Sequence, residues 1–224
     1  MPKVKVPRKS TSIDMTAMCD VAFLLLSFFI LTAQFKPSEA LNVVTPSSVS
    51  NKVAPQKDVV QITIDKDGKV YFSVSDVNKK QKGLIIDDVN TAKNIGLTPA
   101  EKANFVNKPA AYIGVPFSQL KSYLQHDASQ LKNLVLAGIP VKDTSNNEMI
   151  EWIHAATAAF EGTKLNLLVK GDDASKYPSF QGVIYAFKKN DQMKFKMITN
   201  AASVPVGSEL YKANIAAGTG GAAK

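Results

Sequence analysis

The sequence predicts one N-terminal membrane-spanning helix followed by an exported α+β domain with a mixed sheet and packed helices. Three observations carry that prediction. A single apolar run, Met15–Gln34, is long enough to cross a bilayer. Lys3, Lys5, Arg8 and Lys9 stand just before it. Beyond it, strand-like alternation and helix-like spacing follow one another through a region without cysteine.

The apolar run reads MTAMCDVAFLLLSFFILTAQ. At ~1.5 Å per residue it spans ~30 Å, the thickness of a hydrocarbon core. Asp20 lies inside it. A carboxylate at a membrane-helix centre costs ~2.5–3.5 kcal/mol on insertion scales, and a segment that keeps one usually binds or passes an ion with it. A plainer reading rests Asp20 at the interface, ~8 Å in from the helix start, where the macrodipole favours negative charge. A second plainer reading is a signal peptide. It fits poorly, because the run is long, carries a charge and ends without an A-x-A-like site.

The polar residues of the run share one face. At ~100° per residue, Thr16, Asp20, Ser27 and Gln34 fall within about 40° of one another. Such a stripe faces protein or water rather than lipid, so the segment implies partner helices. The basic flank, with Asp14 the only acid before the helix, places the N-terminus in the cytoplasm by the positive-inside rule. No other segment is long and apolar enough to span, so a single pass is expected. The divisions expected are 1–14 cytoplasmic, 15–34 transmembrane, 35–57 linker, 58–211 folded domain and 212–224 flexible tail.

The formal net charge of +8 does not oppose export, since long domains translocate largely regardless of charge. Arg8 is the only arginine. Bidentate reading of phosphates and bases favours arginine, so no nucleic-acid partner is expected. The one cysteine, Cys19, lies in the membrane helix, so the exported part must hold together by its core.

The linker carries Pro37, Pro46 and Pro55 and could extend ~70 Å. Within it LNVVTPSS, Leu41–Ser48, is more apolar than a spacer needs. Leu41, Val43 and Val44 are candidates for an edge strand on a partner; a plain extended linker is the alternative.

The domain opens with a hairpin: DVVQITID, a turn at Lys66-Asp67-Gly68, then KVYFSVS. Residues 76–97 are lysine-rich and weakly patterned. Thr98, Pro99 and Glu101 mark a capped helix start. Another helix is expected over Phe117–His126. Over Glu148–Glu161, Met149, Ile153, Ala156 and Phe160 form one apolar face, and Gly162 ends the helix. KLNLLVK, a helix near Ser179–Lys189 and MKFKMIT complete the pattern, with the last two strands parallel through a crossover. The terminal AAGTGGAAK is small and polar enough for disorder.

The domain offers little chemistry. His126 and His154 have no ligand-spaced partners, and Asp87-Asp88 and Asp172-Asp173 read as solvated turns. Trp152 reads as core or rim. No GxSxG, HExxH or phosphate loop is present, so an enzyme is not expected and no metal is implied.

The stretch IDMTAMCDVAFLLLSFFILTA, Ile13–Ala33, resembles the membrane helix of the ExbD/TolR family of proton-driven inner-membrane motor subunits. Asp14 stands where the family usually has Asn, and Ala17 where it usually has Pro. LNVVTPSS looks like the family's short post-membrane strand. Lys164–Thr199 resembles its closing strand–helix–strand, with Tyr177-Pro178 entering the helix. The likeness covers roughly residues 10–75 and 147–200; the middle, 76–146, matches nothing in the pattern.

The resemblance implies a cell inner-membrane protein with a periplasmic domain, working as a homodimer inside an ExbB-like multi-helix ring. Asp20 would be the proton-carrying residue, with protons as coupling ion and no other cofactor. A TonB-like energy transducer would pass the motion to outer-membrane transport. A TolR-like role against peptidoglycan and a membrane-anchored periplasmic binding module are the alternatives.

Overall fold

The computed structural model describes residues 15–32, 41, 43–49, 54–107, 112–126, 136–141 and 146–216. The chain divides into two units, residues 1–37 and 38–224. The first holds α1, Met15–Thr32. Gln34 lies outside the described residues.

The second unit is built on a hairpin of β2 (Val59–Ile64) and β3 (Val70–Val74). Alternation puts Val60, Ile62 and Ile64 on one face with Val70, Phe72 and Val74, all buried. The turn between the strands needs φ = 78° at Gly68, which glycine adopts without steric cost. Asp65 braces it by accepting bonds from Asp67 N and Lys69 N, each 2.9 Å. The Tyr71 hydroxyl donates to Asp65 at 3.1 Å. Burial and that carboxylate hold the Tyr71 phenol protonated well beyond its usual range.

The remaining elements follow in order: α2 (Lys79–Lys93), α3 (Pro99–Asn107), α4 (Phe117–Gln125), α5 (Met149–Ala159), β4 (Asn166–Gly171), α6 (Tyr177–Lys189), β5 (Phe195–Ile198) and α7 (Glu209–Ala216). The main sheet runs β3-β2-β4-β5. β2 is antiparallel to β3 and parallel to β4, and β4 is parallel to β5. This is the mixed sheet with packed helices that the sequence predicts.

Trp152 on α5 centres the core and is fully buried. Its ring stacks on Phe72 at 4.9 Å and lies 5.5 Å from Phe117. The α5 face expected from spacing, Met149, Ile153, Ala156 and Phe160, is buried throughout. The capping box also forms: Thr98 N donates to Glu101 at 2.8 Å, and Glu101 N to the Thr98 hydroxyl at 3.3 Å. Gln125 donates to the same carboxylate, and this bond foremost keeps Glu101 below the usual carboxylate range. Burial pushes the Tyr123 phenol on α4 up to about 12, while its hydroxyl donates to Tyr112 O at 2.6 Å.

The middle of the chain departs from expectation. Residues 76–97 contain α2, a full helix, rather than an unpatterned stretch. Its buried face is Lys82, Ile85, Ile86 and Val89. A lysine occupies an inward position there, which breaks the apolar pattern. Lys82 survives burial because it ion-pairs with Asp76. Asp87 and Asp88 therefore sit on a helix, not in a turn. Asp87 pairs with Lys102 of α3 at 2.7 Å.

Residues 112–126 and 136–141 also belong to the fold. Phe72 and Ile113 exchange both backbone bonds at 2.8 Å, covering the outer edge of β3. Ile139 N donates to Val70 O, and Glu148 N to Pro140 O. Val141 crosses α6 so closely that a Cβ on Gly182 would collide with its carbonyl. Asn147 donates to Gly182 O at 2.8 Å beside this crossing.

Two further observations concern the ends of the domain. α7 runs to Ala216 and so enters the stretch 212–224 read as a flexible tail. The end of the linker segment forms β1 (Ser47–Ser48), which pairs in parallel with β6 (Asn200–Ala201) of its own chain.

Candidate functional site

α1 is a lone apolar helix with no buried residue. Its 18 residues rise ~27 Å. Thr16, Asp20 and Ser27 are spaced by four and seven, so they share a face. The helix satisfies its own hydroxyls. Ser27 donates to Leu24 O at 2.9 Å and Thr32 to Phe28 O at 2.7 Å. Asp20 is different: it is exposed and has no hydrogen-bond or ion-pair partner among the described residues. α1 is the one helix among the described residues long and apolar enough to cross a membrane. A carboxylate there must find water, a proton or a partner helix.

The linker candidates belong to the second unit. Leu41 and Val43 are half-buried, while Val44 is exposed. Val44 N donates to the Asp172 carboxylate at 3.0 Å, and Val44 O accepts from Asp173 N at 2.8 Å. Pro46 O accepts from Asn200 N, and Thr45 O from the Asn200 side chain at 3.0 Å. The segment thus lies between the residues following β4 and those following β5. Sequence reading found the segment but missed Asp172 and Asn200, which hold it. No local signal joins residues so distant in the chain.

Among the described residues, the rest of the domain presents no grouping of catalytic side chains. No cluster of three or more His, Cys, Asp or Glu exists among the described residues. His154 sits 3.8 Å from Asp88 on the surface. A cleft of about 490 Å³ opens beside α4. Its Glu148 accepts from Phe117 N at 2.8 Å, and burial raises its carboxyl above the usual range. Its lysines are engaged, Lys93 with Glu151 and Lys121 with Gly96 O.

The family model for biopolymer transport protein ExbD/TolR matches residues 7–202. The chain belongs to the ExbD/TolR family. The match contains α1, the linker and the middle segment, so residues 76–146 lie within the family's extent rather than outside it. Neither the curated proteins nor the solved structures contain a match to the chain. ExbD/TolR proteins are transport subunits rather than enzymes, so this chain is an energy-coupling subunit of biopolymer transport. With α1 the one candidate span among the described residues, it is a single-pass membrane protein.

Proposed function

We propose that this ExbD/TolR protein is the ExbD-like subunit of an inner-membrane motor that spends the proton gradient on TonB-dependent transport. The carrying observation is Asp20, a carboxylate without a partner among the described residues, on a helix with no buried residue. Two copies of α1 sit inside an ExbB-like ring, with the Thr16, Asp20, Ser27 and Gln34 stripes turned from lipid. Asp20 takes a proton from the periplasmic side and releases it to the cytoplasm. One charge crossing 100 mV supplies ~2.3 kcal/mol. Neutralising the carboxylate frees the helix pair to move within the ring. The linker and the periplasmic domain carry that motion to a TonB-like transducer.

Asp20→Asn is nearly isosteric and removes only the titration. The variant should assemble with its ring partner yet lose energised import of vitamin or siderophore. Import at the normal rate in cells that stay detergent-resistant would refute proton carriage. Normal import with detergent-sensitive cells would instead assign the TolR-like role. Orientation has its own check. A thiol at Ser208 should react with an impermeant reagent in cells with an intact inner membrane, and one at Ser10 should not.

A further inference from the structure

The starts of three adjacent strands bring three lysines together. Register sets Val59 of β2 beside Asn166 of β4, and Leu167 beside Phe195 of β5. The Asn166 side chain donates to Lys57 O at 3.5 Å and to Lys164 O at 3.4 Å. Lys194 precedes Phe195, which places it next to Asn166 on the neighbouring strand. Lys57, Lys164 and Lys194 are exposed, and no ammonium of the three has a partner among the described residues. Strands ~4.8 Å apart keep these long side chains within reach of one anionic segment. Lys79 at the start of α2 and Lys188 at the end of α6 flank them. Asn78 bonds Asp58, and Gln192 N donates to Phe187 O, which holds both helix ends at this rim. Of the acids there, Asp58 accepts from Asn78 and Asp76 pairs with Lys82, while Glu161 and Asp191 are exposed. Val77, 69% exposed, and Met193, 56% exposed, lie at the same rim.

We propose that this basic rim docks an acidic peptide segment of a partner protein. The ammonium groups meet its carboxylates, and Val77 and Met193 pack on its apolar side chains. Placement on the domain favours a second molecule. Val44 is held on Asp172 and Asp173, and Ser47–Ser48 on Asn200–Ala201. Residues 44–48 therefore cover the opposite rim and not this one. The opposite rim also mixes its charges, with Asp65, Asp67 and Asp173 among Lys66, Lys69 and Lys176. A second copy of the chain fits the basic rim worse, since it would set lysine against lysine. The docking does not rest on proton carriage by Asp20.

The test uses the full-length chain in phosphatidylcholine nanodiscs and a fluorescein-labelled peptide of alternating Glu and Leu. Binding is read by anisotropy. Lys57→Gln with Lys164→Gln and Lys194→Gln should weaken it about tenfold, with the domain's melting unchanged. Lys66→Gln with Lys69→Gln and Lys176→Gln removes the same charge from the opposite rim and should weaken it less than about twofold. Raising salt from about 0.03 M to about 0.5 M should weaken the parent and leave the basic-rim triple nearly unchanged. A dye mapping with all lysines in place stands beside these variants. In a Cys19→Ser background, an environment-sensitive dye at Met193→Cys should respond to the peptide, and one at Ala174→Cys on the opposite rim should not. Equal losses from the two triples would reduce the effect to net charge and overturn the proposal. So would an equal response of the two dyes. Vesicles with about 30% phosphatidylglycerol that bind more tightly than the peptide, through the same three lysines, would assign the rim to lipid instead.

Discussion

Apolar side chains face opposite environments in the two units. In α1, Phe23 and Leu31 are 71% and 86% exposed. In the domain, Phe72 and Trp152 are fully buried. The same chemistry answers two solvents. α1 closes its backbone bonds internally and leaves its side chains for lipid and partner helices. The domain removes its apolar surface from water by packing it on itself. A change in one unit should therefore show in transport, and a change in the other in stability.

The sharpest break comes from Asp20→Asn. Energised transport should vanish while the domain's melting temperature stays that of the parent, because the substitution touches no packed residue. A shifted melting temperature would show that the units are energetically coupled.

Trp152→Ala is the reverse case. It should lower domain stability by ~3–5 kcal/mol, read by denaturant unfolding, with α1 still inserted in the membrane. Deleting the indole opens a cavity against Phe72, Phe105 and Phe117. Part of the loss is recovered, since Trp152 Nε1 is buried with no partner among the described residues.

Gly182→Ala tests whether the middle segment is part of the domain. A Cβ there meets the Val141 carbonyl. The expected cost is ~1–3 kcal/mol, and protease cleavage within 136–147 should become faster. Unchanged stability and cleavage would make the segment an accessory.

Thr98→Ala removes one half of the capping box and should cost ~1 kcal/mol. Glu101, the other half, gives the smallest and most specific signal. Its carboxyl is lowered in the fold, so the stability it adds is present above its ordinary pKa of 4.5 and is lost as the pH falls below that value. The parent domain should lose more stability on acidification than Glu101→Gln; parallel pH curves would remove Glu101 from the account.

Local signals in the sequence were enough for many elements. α1, the hairpin, the Thr98 cap, α4 and α5 each depend on neighbours within a few positions, through periodicity, turn residues or caps. Asp20 was legible for the same reason: a charge inside an apolar run is visible without a fold. α2 was not, because its helical period hides a lysine at an inward position. Only Asp76, brought beside Lys82 in the folded chain, makes that position tolerable.

By itself, then, the sequence determined the membrane helix, the spacing of its polar residues and many, though not all, of the strands and helices. All of these follow from short-range spacing. The tertiary structure alone decided where the linker rests, how the middle segment closes β3 and crosses α6, and which lysines gather on one rim. Those arrangements join Val44 to Asp172, Phe72 to Ile113, and Lys57 to Lys164 and Lys194. Such pairs lie far apart in the chain, and no local preference links them; they meet only when burial of the shared core brings their strands together.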